Sequence, residues 1–390
     1  MPGRVPEAGA GTVSGLPAER AGAAARRVWV LAGDKPGDNA QCRSLAEALG
    51  WGTEVKQLHY RERGRFGGLF GEDRFPLDVA ASSALAPPWP DLVIGCGRRS
   101  VGVAWEIRRR AGAGTRLVQI GRPRADLARF DLVITTPQYR LPARPNVLHL
   151  SMPLHRVDRE ARARAAAEWA PRLASLPFPR IALLVGGTAK PWVLDAAAAR
   201  RLGGAASALA RAEGGSLLVS TSRRTPAATA DALAGALDVP VYVHRWTREG
   251  GANPYLAYLA LADAFVVTGD SASMLAEACS TGRRVWIAEL PEARPLGSYA
   301  KDLLRRLVLA PAEHPRTADW RLARWLAELP GRGWVRYPRD LRRLHAALVE
   351  GGRALPLGQS FRTPPPPPVD ETGRAAARVR ALFADAPARP

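Results

Sequence analysis

Apolar residues fall in two rhythms along this chain. Short unbroken runs alternate with longer stretches in which apolar positions recur at helical spacing. Val28 to Ala32 predicts a strand, Asn39 to Leu49 a helix stopped by Gly50, and Val55 to Leu58 a weaker strand. Residues 61 to 88, rich in Arg, Gly and Pro, predict loop or irregular chain. Strands follow at Leu92 to Ile94, Arg116 to Ile120, Leu132 to Ile134 and Val147 to Leu150, with a helix over Ser100 to Arg110. Unbroken apolar strands alternating with helices predict a parallel sheet covered on both faces.

The rhythm then stops and restarts. Residues 151 to 179, Arg- and Ala-rich and ending Pro177-Phe178-Pro179, predict an interdomain connection. Strands resume at Ile181 to Val185, Ser216 to Ser220, Val241 to His244, Ala264 to Val267 and Val285 to Ile287. Helices fit 192–212, 226–237, 253–261 and 271–281. Two successive α/β units predict two Rossmann-like domains facing across a cleft. The expected boundaries are a disordered leader over 1–26, an N-terminal domain over 27–150, the connection over 151–179 and a C-terminal domain over 180–295. C-terminal helices are expected over 296–355, through Trp320, Trp325 and Leu341 to Leu348, and a proline-rich tail over 356–390. The run Pro364 to Pro368 excludes a helix there. Arg374 to Phe383, basic and weakly amphipathic, predicts a frayed surface helix in preference to a membrane anchor.

Composition narrows the function classes. The 390 residues are 47% hydrophobic and 24% charged, enough to bury two cores. Cys42, Cys96 and Cys279 lie far apart in sequence. That spacing excludes a disulfide scaffold or Cys-rich zinc site, and it suits a reducing cytoplasm. No metal is expected. No run of about 18 apolar residues exists, and the leader lacks the apolar core of a signal peptide. A cytoplasmic location is therefore expected, with peripheral contact at the inner face of an acidic membrane open to a basic surface. The formal net charge is +20, and among 56 Lys and Arg only Lys35, Lys56, Lys190 and Lys301 are lysines. Such a surface attracts anions of many kinds. No zinc-finger spacing, RNA-recognition consensus or clear helix-turn-helix accompanies it, so nucleic acid is not expected as the partner.

In doubly wound folds ligands sit at the carboxyl ends of strands, so the turns after strands carry the candidate chemistry. LAGDKPGDNAQ, residues 31–41, offers Gly33, Lys35, Asn39 and Gln41 as acceptor or phosphate contacts, with Asp38 or Asn39 as a helix cap. It is neither a Walker A loop nor GxGxxG. IGCGRRSVG, residues 94–102, sets Gly97 before Arg98 and Arg99 at a helix mouth, where cations oppose the dipole unless an anion lies between them. LLVGGTAKPW, residues 183–192, places Gly186, Gly187, Thr188 and Lys190 where the backbone could approach a diphosphate closely. LVSTSRRTP, residues 218–226, adds Ser222, Arg223 and Arg224 with Ser220, Thr221 and Thr225, an anion-binding set. In VVTGDSASMLAEACSTGRRVWI, residues 266–287, helix N–H groups and the hydroxyls of Ser271 and Ser273 face the strand ends. Glu277, four residues beyond Ser273, lies on the same face about 6 Å deeper. That offset suits a diphosphate followed by its ribose, whose hydroxyls a carboxylate accepts. Gly250-Gly251 and Asn253-Pro254 begin a helix that could close the side of such a pocket. Read alone, each turn is also compatible with a capped, solvated loop.

Together WVLAGDKPGDNAQCRSLAEALG, DLVIGCGRRS, FDLVITTPQY, LLVGGT, STSRRTP and GANPYLAYLALADAFVVTGDSASMLAEACSTGRRV resemble one family, that of the plant mitochondrial-fission "elongated mitochondria" (ELM) protein and its bacterial homologues. The resemblance extends from about residue 28 to 290. It implies a two-domain glycosyltransferase fold of type B, with a nucleotide-diphosphate sugar as substrate in the second domain. On that resemblance Gly187, Thr188, Ser271, Ser273 and Met274 approach the diphosphate and Glu277 holds the ribose. The functional expectation is transfer of a sugar to an acceptor, a lipid or envelope glycan, reaching the cleft from the first domain, with no cofactor required. Asp34, Asp38 and His59 are the candidate bases for inversion, and Arg223 or Arg224 would stabilise the leaving diphosphate. Asp270 must then cap the helix, bind a cation or repel the phosphates. The plant relatives are associated with recruitment of fission machinery, which leaves a second expectation: a non-catalytic adaptor or membrane-surface binding protein on the same fold.

Overall fold

A computed structural model describes residues 26–61, 77–189, 191–293 and 339–384. Expectations placed on 1–25, 62–76, Lys190, 294–338 (with Trp320 and Trp325) and 385–390 lie outside the described residues.

The first unit begins β1 (Arg27–Ala32), α1 (Pro36–Leu49), β2 (Gly52–Gln57). Pro36, whose fixed φ suits a first helical turn, starts α1 three residues before the expected Asn39, so Asp38 and Asn39 lie inside the helix and cap nothing. Gly50 ends it in the left-handed conformation at φ 69, its N–H donating to the Ala46 and Glu47 carbonyls. β3 (Leu92–Cys96), α2 (Ser100–Ala111), β4 (Arg116–Ile120), β5 (Leu132–Thr135) and β6 (Val147–His149) complete the unit. All strands pair parallel in the order β2-β1-β3-β4-β5-β6. The unbroken apolar run of β1 is explained by burial on both faces. Val28 and Val30 meet Cys42, Leu45 and Leu49 of α1, while Trp29 and Leu31 meet Val101 and Ile107 of α2.

The expected connection contains a helix, α3 (Arg159–Leu173), whose Asp158 cap accepts the Ala161 N–H at 2.8 Å. The second unit runs β7 (Arg180–Leu184), α4 (Ala196–Ala212), β8 (Ser216–Ser220), α5 (Ala227–Ala234), β9 (Val241–His244), α6 (Tyr255–Leu261), β10 (Ala264–Thr268), α7 (Ala272–Cys279) and β11 (Arg284–Ala288). α4 starts later than Trp192 because Asp195 caps it, accepting the Ala198 N–H at 2.7 Å. Beyond 338 come α8 (Leu341–Glu350), β12 (Leu355–Pro356) and α9 (Glu371–Ala381). The second sheet is ordered β12-β11-β10-β7-β8-β9, again all parallel. Both units are therefore Rossmann-like α/β sheets, as expected.

The segment expected as a proline-rich tail does structural work in both units. β12 extends the second sheet at its edge. α9 then returns to the first unit, where Ala375, Ala376 and Val379 are fully buried beside Leu45 and Leu49. Phe383 meets Trp51 edge-on at 5.2 Å. The stretch is thus not a frayed surface helix: burying Val379 and Phe383 alone is worth about 1.5–3 kcal/mol each. Glu371, fully buried at the start of α9, accepts the Ser151 N–H at 2.7 Å and its hydroxyl, and pairs with Arg374 at 2.7 Å.

Sheet order fixes where a ligand can sit. In the first sheet the direction in which successive strands are added reverses between β1 and β3, while all strands stay parallel. In the second it reverses between β7 and β10, the 3-2-1-4-5-6 order of dinucleotide folds. Each reversal leaves a crevice at the strands' carboxyl ends, and the expected candidate turns after β1, β3, β7 and β10 lie at these two crevices.

Candidate functional site

At the second crevice the Gly186-Gly187 turn after β7 faces Asp270 after β10. Gly186 N–H donates to Thr268 Oγ1 at 2.8 Å, and Gly187 N–H donates to Asp270 Oδ2 at 3.1 Å. Both glycines are required by the protein's own packing. A Cβ on Gly186 would stand 2.3 Å from Asp270 Oδ2, and one on Gly187 would stand 2.1 Å from the Arg224 carbonyl oxygen. The side on which each glycine lacks a side chain is thus occupied by the chain itself, a carboxylate at Gly186 and a neighbouring loop at Gly187. Asp270 does not cap α7. It pairs with Arg224 at 2.6 Å, its side chain fully buried and that of Arg224 37% exposed.

The remaining members of this set divide. Ser222 and Thr225 donate to the Gly186 carbonyl, Thr225 at 2.5 Å, and so brace the glycine turn. Thr188 Oγ1 accepts the Leu194 N–H at 3.1 Å. Arg223 is exposed and forms no ion pair among the described residues. Ser271 precedes α7 without a side-chain cap bond, Ser273 is exposed, and Met274 packs against the second core. Among the described residues, the N–H groups of Ala272, Ser273 and Met274 meet no acceptor. Across the cleft, Ser273 Oγ lies 3.8 Å from where a Cβ on Gly37 would stand, so the start of α7 confronts the first turn of α1 in the first unit.

Glu277 is half-buried one turn deeper. The Tyr255 hydroxyl donates to its Oε2, while Oε1 accepts nothing from the described residues. Burial pushes the carboxyl above its ordinary value, and the Tyr255 hydrogen bond and nearby Arg162 pull it back. Burial likewise pushes the Tyr255 phenol well up, with the Glu277 charge adding to it. Arg162 comes from α3, and it also donates to Ser280 Oγ at 3.3 Å. Tyr255, at the start of α6, is therefore a partner of Glu277.

At the first crevice Asn39 spends both ends of its amide on Gly33, accepting from its N–H at 2.9 Å and donating to its carbonyl at 2.8 Å. Asp34 pairs with Arg99 at 2.8 Å, so the anion expected at the α2 mouth is supplied by the chain itself. Lys35 is exposed, and Gln41 makes only a 3.5 Å contact to the Gly37 carbonyl. Asp38 lies beside Gly97, whose φ is +70 and whose missing Cβ would stand 3.2 Å from Oδ2. Arg98 lines the same hollow with Gly33, Lys35 and Tyr60. His59 sits apart, its backbone tied to Ser82 and its side chain exposed.

Several neighbours had no counterpart among the expected residues. Tyr139, packed over Gly121, has its phenol pushed up by burial, with Arg339, Arg122, Asp38 and Cys96 within electrostatic reach. His345 of α8 donates from Nε2 to the Gly269 carbonyl at 2.8 Å, and burial holds its imidazole below the ordinary histidine value. α8 also reaches the first unit, where Asp340 N–H donates to the Gln138 carbonyl at 3.0 Å. Tyr139 ends a quoted strand motif and was findable. His345 lies outside every strand-end turn, so no local pattern marks it.

A family model described as mitochondrial fission ELM1 matches residues 36–383. The chain belongs to the mitochondrial fission ELM1 family. The Arabidopsis thaliana mitochondrial fission protein ELM1 is 32% identical over 244 residues, 56% of this chain and 56% of that protein. The chain thus matches only about half the length of this curated relative. Looser likenesses exist among solved structures. A Polygonum tinctorium UDP-glucosyltransferase capable of glucosylating indoxyl matches with TM-score 0.43 and 11% identity, over 93% of this chain and 99% of that one. A Methanocaldococcus jannaschii UDP-GlcNAc 2-epimerase, in complex with UDP-GlcNAc and UDP, matches with TM-score 0.41 and 10% identity, over 92% and 99%. At TM-scores this low, neither bears on the chemistry of this ELM1-family chain. Among the described residues, no helix is long and apolar enough to cross a membrane.

Proposed function

We propose that the protein binds a nucleotide-diphosphate sugar at the N-terminus of α7 and transfers its sugar to an acceptor held by the first unit. The observation that carries this reading is Glu277: a half-buried carboxylate held on one oxygen by Tyr255 and open on the other. It lies about 6 Å along the helix axis from the unpartnered N–H groups of the first turn. Those N–H groups suit a diphosphate, and Oε1 suits a ribose hydroxyl. During transfer, the helix end and Arg224 would stabilise the departing diphosphate. Asp38 is the best-placed base candidate, since Asp34 is held by Arg99 and His59 lies elsewhere. A lipid or envelope glycan is the proposed acceptor class.

Thermal-shift titration with UDP-, GDP-, ADP- and CMP-sugars tests the reading, repeated on Glu277→Ala. Stabilisation by one nucleotide class that the substitution abolishes is the expected result. No stabilisation by any of them refutes the enzyme; stabilisation unaffected by Glu277→Ala refutes the ribose assignment. A second reading, a non-catalytic adaptor at an acidic membrane surface, is favoured by the +20 charge and by the Asp270 carboxylate standing at the glycine turn. It also agrees with the relative's fission name. Salt-sensitive binding to acidic vesicles without nucleotide binding would select it.

A further inference from the structure

Asp270 stands where an incoming anion would stand. Its Oδ2 takes the Gly187 N–H at 3.1 Å and the Arg224 guanidinium at 2.6 Å. Those are the donors that a diphosphate at the start of α7 would use. The carboxylate is fully buried and rests directly on Gly186, so no side chain could lie beneath it. A second anion placed beside it meets like-charge repulsion in a site sheltered from water. Yet the carboxylate is only half satisfied: Oδ1 is buried and has no hydrogen-bond partner among the described residues. Arg224, 37% exposed, has room to turn from Asp270 toward the cleft.

We propose that Asp270 is a specificity-determining residue, an internal anion that competes with the ligand's phosphates for the Gly187 N–H and Arg224. It sets a threshold. Pyrophosphate, which offers charge alone, does not displace it, whereas a nucleoside diphosphate gains a ribose contact at Glu277 and does. The ligand class in this statement rests on the nucleotide reading above; the competition rests on Asp270, Gly187 and Arg224 alone.

Isothermal titration of the full chain with inorganic pyrophosphate, and with ADP, GDP, UDP and CDP, tests it on wild type and Asp270→Asn. Asparagine keeps the shape and accepts the Gly187 N–H but offers Arg224 no charge. Pyrophosphate is expected to bind Asp270→Asn at least tenfold more tightly than wild type. Adding Arg224→Ala should abolish the gain, which excludes adventitious sites on this basic surface. Pyrophosphate affinity that is unchanged, weaker or absent in Asp270→Asn overturns the proposal, as does a gain that survives Arg224→Ala. Asp270→Ser, which also removes the charge, gives the same test if the asparagine variant does not fold by circular dichroism. A pyrophosphate gain without nucleotide preference would uphold the competition and refute the nucleotide reading, so the two failures are distinguishable.

Discussion

Gly186→Ala is expected to destabilise the second unit through one contact. The backbone at Gly186 is not in the left-handed region, so alanine meets no intrinsic strain there. Its Cβ, however, would fall 2.3 Å from Asp270 Oδ2 and 2.5 Å from Oδ1. The carboxylate must move, and with it go the Gly187 N–H bond and the Arg224 pair. Overpacking costs about 1–3 kcal/mol, and a hydrogen bond to a charged group is worth about 1.5–3 kcal/mol. A loss of roughly 3 kcal/mol or more follows, a midpoint drop on the order of 10 °C. Urea denaturation followed by circular dichroism measures it. The decisive comparison is the same substitution made on Asp270→Ala, where the added methyl enters vacated space and should cost under about 1 kcal/mol. Equal losses in both backgrounds would show that Gly186 is required for some reason other than Asp270. No loss in the wild-type background would show that the carboxylate does not rest on Gly186.

Three further outcomes are expected. An acid whose pKa is raised by folding binds more protons folded than unfolded, so its contribution falls as pH rises above the ordinary glutamate value. Glu277→Gln should therefore gain stability relative to wild type as pH rises above the ordinary glutamate value of 4.5, read from paired thermal melts; a relative loss contradicts the burial of Glu277. His345 and His155 are held neutral by burial, so stability should fall as pH drops through the ordinary histidine value of 6.5. His345→Gln should flatten part of that acid limb, and an unaltered limb argues against its burial. Glu371→Ala strands the Ser151 donors and Arg374, at a cost of about 3 kcal/mol; limited proteolysis should then release α9 faster than from wild type.

The two sheets were legible because their strands are buried on both faces and so are written as unbroken apolar runs. Phe265-Val266-Val267 in β10 is one such run. α3 was hidden because its 15 residues bury only Trp169 and Leu173, too few to mark a stripe. α9 was misread because much of its contact is made by Ala375 and Ala376, small residues that carry little amphipathic pattern. The turns of the site were legible from glycines that interrupt strands. Their partners were not. Arg224 meets Asp270, Tyr255 meets Glu277, and His345 meets Gly269 across 76 residues, because sheet order brings distant segments to one crevice.

The return of α9 gives the molecule a nested topology. The second unit is an insertion, carried between β6 and the helix that finishes the first unit's core. During synthesis β7 to β12 can pair as soon as they emerge, while the first unit waits with Leu45 and Leu49 uncovered until α9 arrives. The earlier-made unit is thus the later one to be completed, and for that interval its exposed apolar face is where a chaperone would have to act.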